Sequence, residues 1–306
     1  MNDHKQSLHI QSLGWMVRRT EDPMPQGAFY RDVLGLPQLR ERDNERGRNI
    51  MVWTGMYSVM ETIWQGKPHP PVEVAEEAEV VPVFRVHDMD AVVSRLEASG
   101  APRVPSRFGA TETVYFTDPD GFVFGLRAPT VGSDLAPDME AEDVWRKGGV
   151  TLPDTPSMPA DVQDIGWVQL HVDDPQALVP FYCRTVGLDL LENNNDGSVS
   201  LHLGSTASLE LKPGGSSRPV PKDRKDVPDV WILRGYGFDA FTAKMATAKA
   251  PLINSLTLGA GSLNYYADPE GHVFGFQERK AYDPDDPLTH RIEDRFARAA
   301  WDSSKP

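Results

Sequence analysis

The sequence predicts an α+β protein built by duplication, with one strand–helix–strands unit used four times. Two observations carry this prediction. Three blocks recur in the same order at nearly constant spacing, and within each copy period-two apolar alternation gives way to a helical stretch and back. FYRDVLGL, starting at Phe29, returns as FYCRTVGL starting at Phe181, 152 positions later. LGWMVRRTEDP (13–23) returns as IGWVQLHVDDP (165–175), and YFTDPDGFVFG (115–125) as YYADPEGHVFG (265–275). Three ordered matches exclude chance.

The elements follow in order. Trp15 to Arg19 and Trp167 to Val172 read as strands ending in acidic-Pro turns. An amphipathic helix bearing Phe-Tyr follows in each copy, closed by Gly35 or Gly187 as C-terminal cap. NIMVWTG and YSVMETIW supply strands to the first copy, SVSLHLG and ASLELK to the second. Each copy then begins again: strand VVPVFRV (80–86), helix 89–100 and TVYFTDPDGFVFGLR, two strands around a tight turn. Their counterparts are VWILR (230–234), a helix over 238–250, and LNYYADPEGHVFGFQ. The glycines of LTLGAGSLNYY (256–266) read as a hairpin turn. Two repeat domains are expected, at 8–128 and 164–279, with a Pro-rich, acidic linker over 129–163. A tail over 280–306 contains a further helix pattern in THRIEDRFARAAW.

Composition bounds the function. A chain of 306 residues with 40% hydrophobic and 25% charged residues fits a soluble globular protein of two domains. The net charge of −14 argues against nucleic acid and anionic membrane as partners, because phosphate affinity is built from Lys and Arg. No apolar run reaches the length of a membrane span, and the first residues show no secretory h-region. The single cysteine, Cys183, forms no internal disulfide, so a cytoplasmic location is expected. Dinucleotide-binding, Walker, nucleophile-elbow and HExxH motifs are absent from the sequence.

The strand, acidic-Pro turn and FYRDVLGL helix, followed by a late DPDG turn and alternating apolar residues, resemble the vicinal oxygen chelate superfamily. That group includes glyoxalase I, bleomycin-resistance proteins and extradiol dioxygenases. The resemblance covers nearly all of 8–128 and 164–279. It implies tandem glyoxalase-like domains, each of two βαβββ modules forming a cupped mixed sheet around a ligand cavity. The sequence leaves open which modules pair, within one chain or between two, and such domains often form homodimers.

Metal-using members place a His or Gln on the first strand, a His on the fifth and a Glu on the last. The matching positions here are Trp15 and Trp167, Val81 and Val230, and Gly125 and Gly275. None of these side chains holds a divalent ion. No metal and no other cofactor is therefore expected. Trp and Gly replace the ligands together in both copies, which pairs Trp15 with Gly125 and Trp167 with Gly275. The indoles either plug the cups or form flat walls for an aromatic ligand.

Strand alternation places Val17 and Arg19 beside Trp15, and Gln169 and His171 beside Trp167. In the same phase lie Arg85 and Arg234 on the fifth strands, and Arg127 and Gln277 beyond the two glycines. Substrate-binding candidates are thus Trp15, Arg19, Arg85, Trp167, Gln169, Arg234, Gly275 and Gln277, with Arg85 and Arg234 as anion anchors. For chemistry without metal, proton transfer is the main option. Glu61 and Glu210 lie inside apolar strands, where a carboxyl pKa rises. Only the second copy adds two histidines, so His171, Glu210 and His202 are the catalytic candidates. Tyr115, Tyr265 and Tyr266 read as core or as donors to a substrate oxygen.

The sequence reading is a metal-independent protein acting on a small apolar, aromatic or polycyclic compound, as a cofactor-free lyase, isomerase or epimerase. The alternatives are a non-catalytic binding or resistance protein, and a metal-dependent extradiol-type dioxygenase.

Overall fold

The structure is a computed structural model and describes residues 8–45, 47–55, 58–109, 112–129, 161–204, 207–258 and 261–279. The expected tail helix, and all of the linker but its two ends, lie outside these residues.

Four modules follow one another. The first is β1 (His9–Thr20), α1 (Pro23–Asp32), β2 (Gln38–Asn44), β3 (Gly47–Trp53) and β4 (Val59–Trp64). The second is β5 (Val80–Val86), α2 (Met89–Ala98), β6 (Arg103–Val104), β7 (Thr113–Thr117) and β8 (Val123–Arg127). The third is β9 (Val162–Val172), α3 (Pro175–Pro180), β10 (Asp189–Asn193), β11 (Val199–His202) and β12 (Ser208–Pro213). The fourth is β13 (Asp229–Tyr236), α4 (Phe238–Thr247), β14 (Leu252–Leu258), β15 (Gly261–Ala267) and β16 (Val273–Arg279).

Local chemistry fixes the helix ends. Asp22, Asp88 and Asp174 each accept from backbone N–H groups of the first turn of α1, α2 and α3. At α4 the preceding residue is Gly237, which has no capping side chain, and the Glu278 carboxylate takes the Phe238 N–H at 2.6 Å instead. Pro180 cannot donate to a carbonyl of the preceding turn, and α3 continues as a π-helical turn over Phe181–Val186. Gly187 ends it in the left-handed region at φ 99°, its N–H bonded to the Tyr182 carbonyl. The unforeseen strands are β2, β6 and β10, which do not read as apolar alternation, whereas β14 is the first arm of the hairpin expected over 256–266. All four end the sheets, and β2 (QLRERDN) and β10 (DLLEN) carry the charge and polarity typical of edges.

Two eight-stranded sheets result, in the orders β14-β15-β16-β13-β1-β4-β3-β2 and β10-β11-β12-β9-β5-β8-β7-β6. Neither sheet is made by one repeat. Modules one and four build the first cup, where β1 runs antiparallel to β13. Modules two and three build the second, where β5 runs antiparallel to β9.

The helix-facing side of both sheets and all four helices share one core, including Met16, Tyr30, Phe84, Leu96, Phe124, Tyr182, Trp231 and Phe241. The opposite faces carry two smaller clusters. One holds Val17, Val230, Ile232, Leu263, Tyr265 and Val273; the other holds Val81, Val83, Val104, Tyr115, Val123 and Trp167. Arg18 pins the modules together from within the core. It is fully buried, donates to Asp229 at 3.1 Å, Asp118 at 3.0 Å and the Val123 carbonyl at 2.6 Å, and also bonds the Tyr30 hydroxyl. These partners come from modules one, two and four.

Candidate functional site

Each cup face follows from strand alternation. In the first cup, β1 presents Trp15, Val17 and Arg19, and β13 presents Val230, Ile232 and Arg234. Trp15 pairs with Ile232, and Ile232 with Gly275. In the second cup Trp167 pairs with Val83, and Val83 with Gly125. The expected partners are therefore exchanged: Trp15 shares a cup with Gly275, and Trp167 with Gly125. The cause is the cross-pairing of modules, which similar modules do not announce in their sequence.

Close packing explains both glycines. A Cβ on Gly125 would stand 2.6 Å from Thr113 Cγ2 and 2.9 Å from Val83 Cγ2. One on Gly275 would stand 2.8 Å from Ile232 Cγ1. The indoles differ in exposure, Trp15 being half-buried and Trp167 buried.

The second cup is filled by its own side chains. Arg127 donates to Glu210 with both terminal nitrogens, at 2.6 and 2.8 Å. Gln169 adds a bond to Glu210 at 2.9 Å and accepts one from Tyr115 at 2.9 Å. The guanidinium carbons of Arg127 and Arg85 lie 4.5 and 5.2 Å from the centre of the Trp167 ring. Burial opposes ionisation of Glu210, but the Arg127 guanidinium, with Lys212 and Gln169, holds its carboxyl below the ordinary value. This corrects the expected rise. Glu210 is a clamped carboxylate and a poor base.

The other residues expected here are placed as follows. His171 is buried with Nδ1 bonded to the Ala78 carbonyl at 2.6 Å, and burial lowers its pKa, so it is neutral. His202 pairs with Ser208 across β11 and β12, half-buried on the same face. All three catalytic candidates thus face the second cup, where Arg127 and Gln169 hold Glu210 while Nε2 of His171 has no partner among the described residues. Arg85, expected as an anion anchor, pairs with Asp164 at 3.0 Å. Arg234 is buried in the first cup beside Ser12 and Gln277.

In the first cup, Gln277 stands where the second has Arg127, and Val17 where it has Gln169. Glu61 is consequently held differently from Glu210. It sits next to Val17 in the sheet, buried, and accepts from Arg40 at 3.1 Å and from Asn49, both on Oε1. Burial pushes its carboxyl above the ordinary value, against the pull of Arg40 and Asn49. Arg19, Tyr265 and Glu61 lie close enough to perturb one another electrostatically. The sequence singled out Glu61 but not Arg40, Asn49 or Arg224 beside it. The one available signal was the Arg127-to-Gln277 difference between copies.

A divalent ion does not fit this donor set. Using Glu210 would mean displacing the Arg127 guanidinium, which holds both of its oxygens. Among the described residues no three His, Cys, Asp or Glu are grouped to hold a metal.

Comparison with known proteins agrees with the architecture. Residues 15–127 match the family described as Glyoxalase-like domain. A structure from Bacillus subtilis, described as a candidate dioxygenase, superposes with TM-score 0.63 at 14% identity, covering 98% of this chain and 92% of that one. Glyoxalase I from Zea mays superposes with TM-score 0.59 at 16% identity, covering 90% of this chain and 95% of that one. The chain has the vicinal oxygen chelate fold. At these identities the likeness establishes the fold alone. A search of curated proteins found no match. Among the described residues no helix is long and apolar enough to cross a membrane.

Proposed function

We propose that the protein binds a small planar apolar compound in its first cup and moves a proton on it, with Glu61 as the exchanging group. The observation that carries this reading is the contrast between two equivalent carboxyls. Glu210 is held ionised by Arg127, whereas burial raises Glu61 toward the range in which a carboxyl both takes and returns a proton. Both described bonds to Glu61 fall on Oε1. Oε2 is thus the oxygen assigned to the substrate. Trp15, Val17 and Ile232 supply the apolar wall and floor.

The chemistry is proton abstraction next to a carbonyl. Oε2 takes the C–H proton and leaves an enolate. The carboxylic acid so formed returns a proton to the same carbon, giving exchange or epimerisation, or to the far carbon of a conjugated dienolate, giving isomerisation. The test is deuterium incorporation from D2O into 2-tetralone, followed by NMR. Exchange above the buffer rate that falls by about a hundredfold or more in Glu61→Gln, and persists in Glu210→Gln, supports the reading. Exchange that survives Glu61→Gln overturns it. Tight binding without exchange, across related ketones, would identify a non-catalytic binding protein instead.

A further inference from the structure

The first cup contains a cation whose hydrogen-bonding capacity is not used up. Arg19 is 2% exposed and lies on the same strand face as Trp15 and Val17. Its Nε donates to the Arg224 carbonyl at 3.0 Å, and the Tyr265 hydroxyl lies within its hydrogen-bonding reach. Its Nη2 is buried and has no partner among the described residues. A buried N–H without an acceptor is costly, more so on a charged group, so a site that retains one calls for an acceptor from elsewhere. At the equivalent place the second cup has His171, a neutral ring whose Nδ1 is taken by the Ala78 carbonyl. A guanidinium at this place is therefore specific to the first cup.

We infer that Arg19 and Tyr265 seat the carboxylate of an aromatic acid whose ring lies against Trp15. A tyrosine that accepts from a guanidinium still has its own O–H to donate. Arg19 Nη2–H and the Tyr265 O–H then form a pair of neighbouring donors, the arrangement that suits the two oxygens of a carboxylate. The Arg224 side chain adds positive charge nearby. The half-buried Trp15 offers the ring a flat apolar surface. This proposal rests on the reading that the first cup is the ligand site, and it names the class of compound that enters.

Two isosteric probes test it: 2-naphthoate and its neutral counterpart 2-naphthamide, titrated by quenching of tryptophan fluorescence. The wild-type protein is expected to bind naphthoate about tenfold or more tightly than naphthamide, the value of one charge-assisted bond. Arg19→Gln should abolish that preference by weakening naphthoate much more than naphthamide, and Arg19→Lys should retain most of it. Trp15→Phe should remove most of the quenching by both probes. Equal binding of the two probes to the wild type overturns the carboxylate seat and leaves the first cup as a site for neutral compounds. A preference that persists in Arg19→Gln also overturns it. Quenching that is unaltered in Trp15→Phe places the ligand outside the first cup, and overturns the seat together with the site reading. If Arg19→Gln fails to fold, the wild-type comparison and Arg19→Lys still decide.

Discussion

Trp15 and Gly275 flank Ile232 on neighbouring strands of one sheet, although they come from opposite ends of the chain. The same relationship joins Trp167 to Gly125 through Val83. Each repeat gives one module to each cup, so both repeats are needed to complete either one. The cups have since diverged. One is closed by its own Arg–Glu pair, and the other keeps a raised carboxyl and a spare guanidinium N–H.

Adding one methyl group in the second cup tests its packing. Gly125→Ala places a Cβ against Thr113 and Val83, and should lower stability by about 1–3 kcal/mol in urea unfolding, the usual cost of overpacking. Val83→Ala in the same chain should recover part of the loss. Independent, additive losses would show that the close approach is not what requires glycine.

Arg127→Met removes the paired countercharge of Glu210 and leaves a buried carboxylate with only Gln169 bonded to it and Lys212 nearby. The loss should be about 3–5 kcal/mol near neutral pH. The pH dependence should also reverse in sign. In the wild type Glu210 has a lowered pKa, so its contribution is present above the unfolded value and is lost as pH falls through the folded one. In the variant the pKa is raised, and stability should fall as pH rises above the unfolded value. Denaturant midpoints between pH 4 and 8, about the span over which carboxyl groups change charge, would display the reversal.

His171 adds a separate acid sensitivity. Its folded pKa lies below the ordinary histidine value of 6.5, because burial disfavours the charged ring. The unfolded chain therefore binds the proton first, and stability should fall as pH drops below 6.5 toward the folded pKa. In His171→Gln this segment of the stability curve should flatten. An unchanged slope would assign the acid sensitivity to another group.

Arg18 joins three modules through Asp118, Asp229 and Tyr30. Arg18→Met should destabilise the protein by about 3–5 kcal/mol, since two buried carboxylates lose their cation. Arg18→Lys should rescue only part of this, because an ammonium cannot reproduce the fork that reaches all the partners. A loss below about 1 kcal/mol in thermal or urea unfolding would deny Arg18 its role as a pin.

Much of this was legible in the sequence. Period-two alternation puts Trp15, Val17 and Arg19 on one face, and Trp15 and Val17 do pack in one cup cluster. The Phe29–Tyr30 and Phe181–Tyr182 repeats mark the modules because those rings fill the core beside Phe124 and Phe274. Module pairing was not legible, because β1 offers its edges equally well to β5 or β13 at the level of apolar pattern. The fates of the two glutamates were hidden for a related reason. Glu61 and Glu210 sit in similar strands, and their charge is decided by Arg127 and Arg40 across other strands of the same sheets. Burial alone predicts a raised pKa for both, and only the partner in space separates them.

The central claim is that the two equivalent carboxyls have opposite character, and carboxyl carbon-13 NMR through a pH titration tests it most directly. With Glu61→Gln and Glu210→Gln used to assign the signals, Glu61 should titrate above 4.5 and Glu210 below it. Glu61 titrating at or below Glu210 would contradict the account and return the proton-transfer site to the second cup.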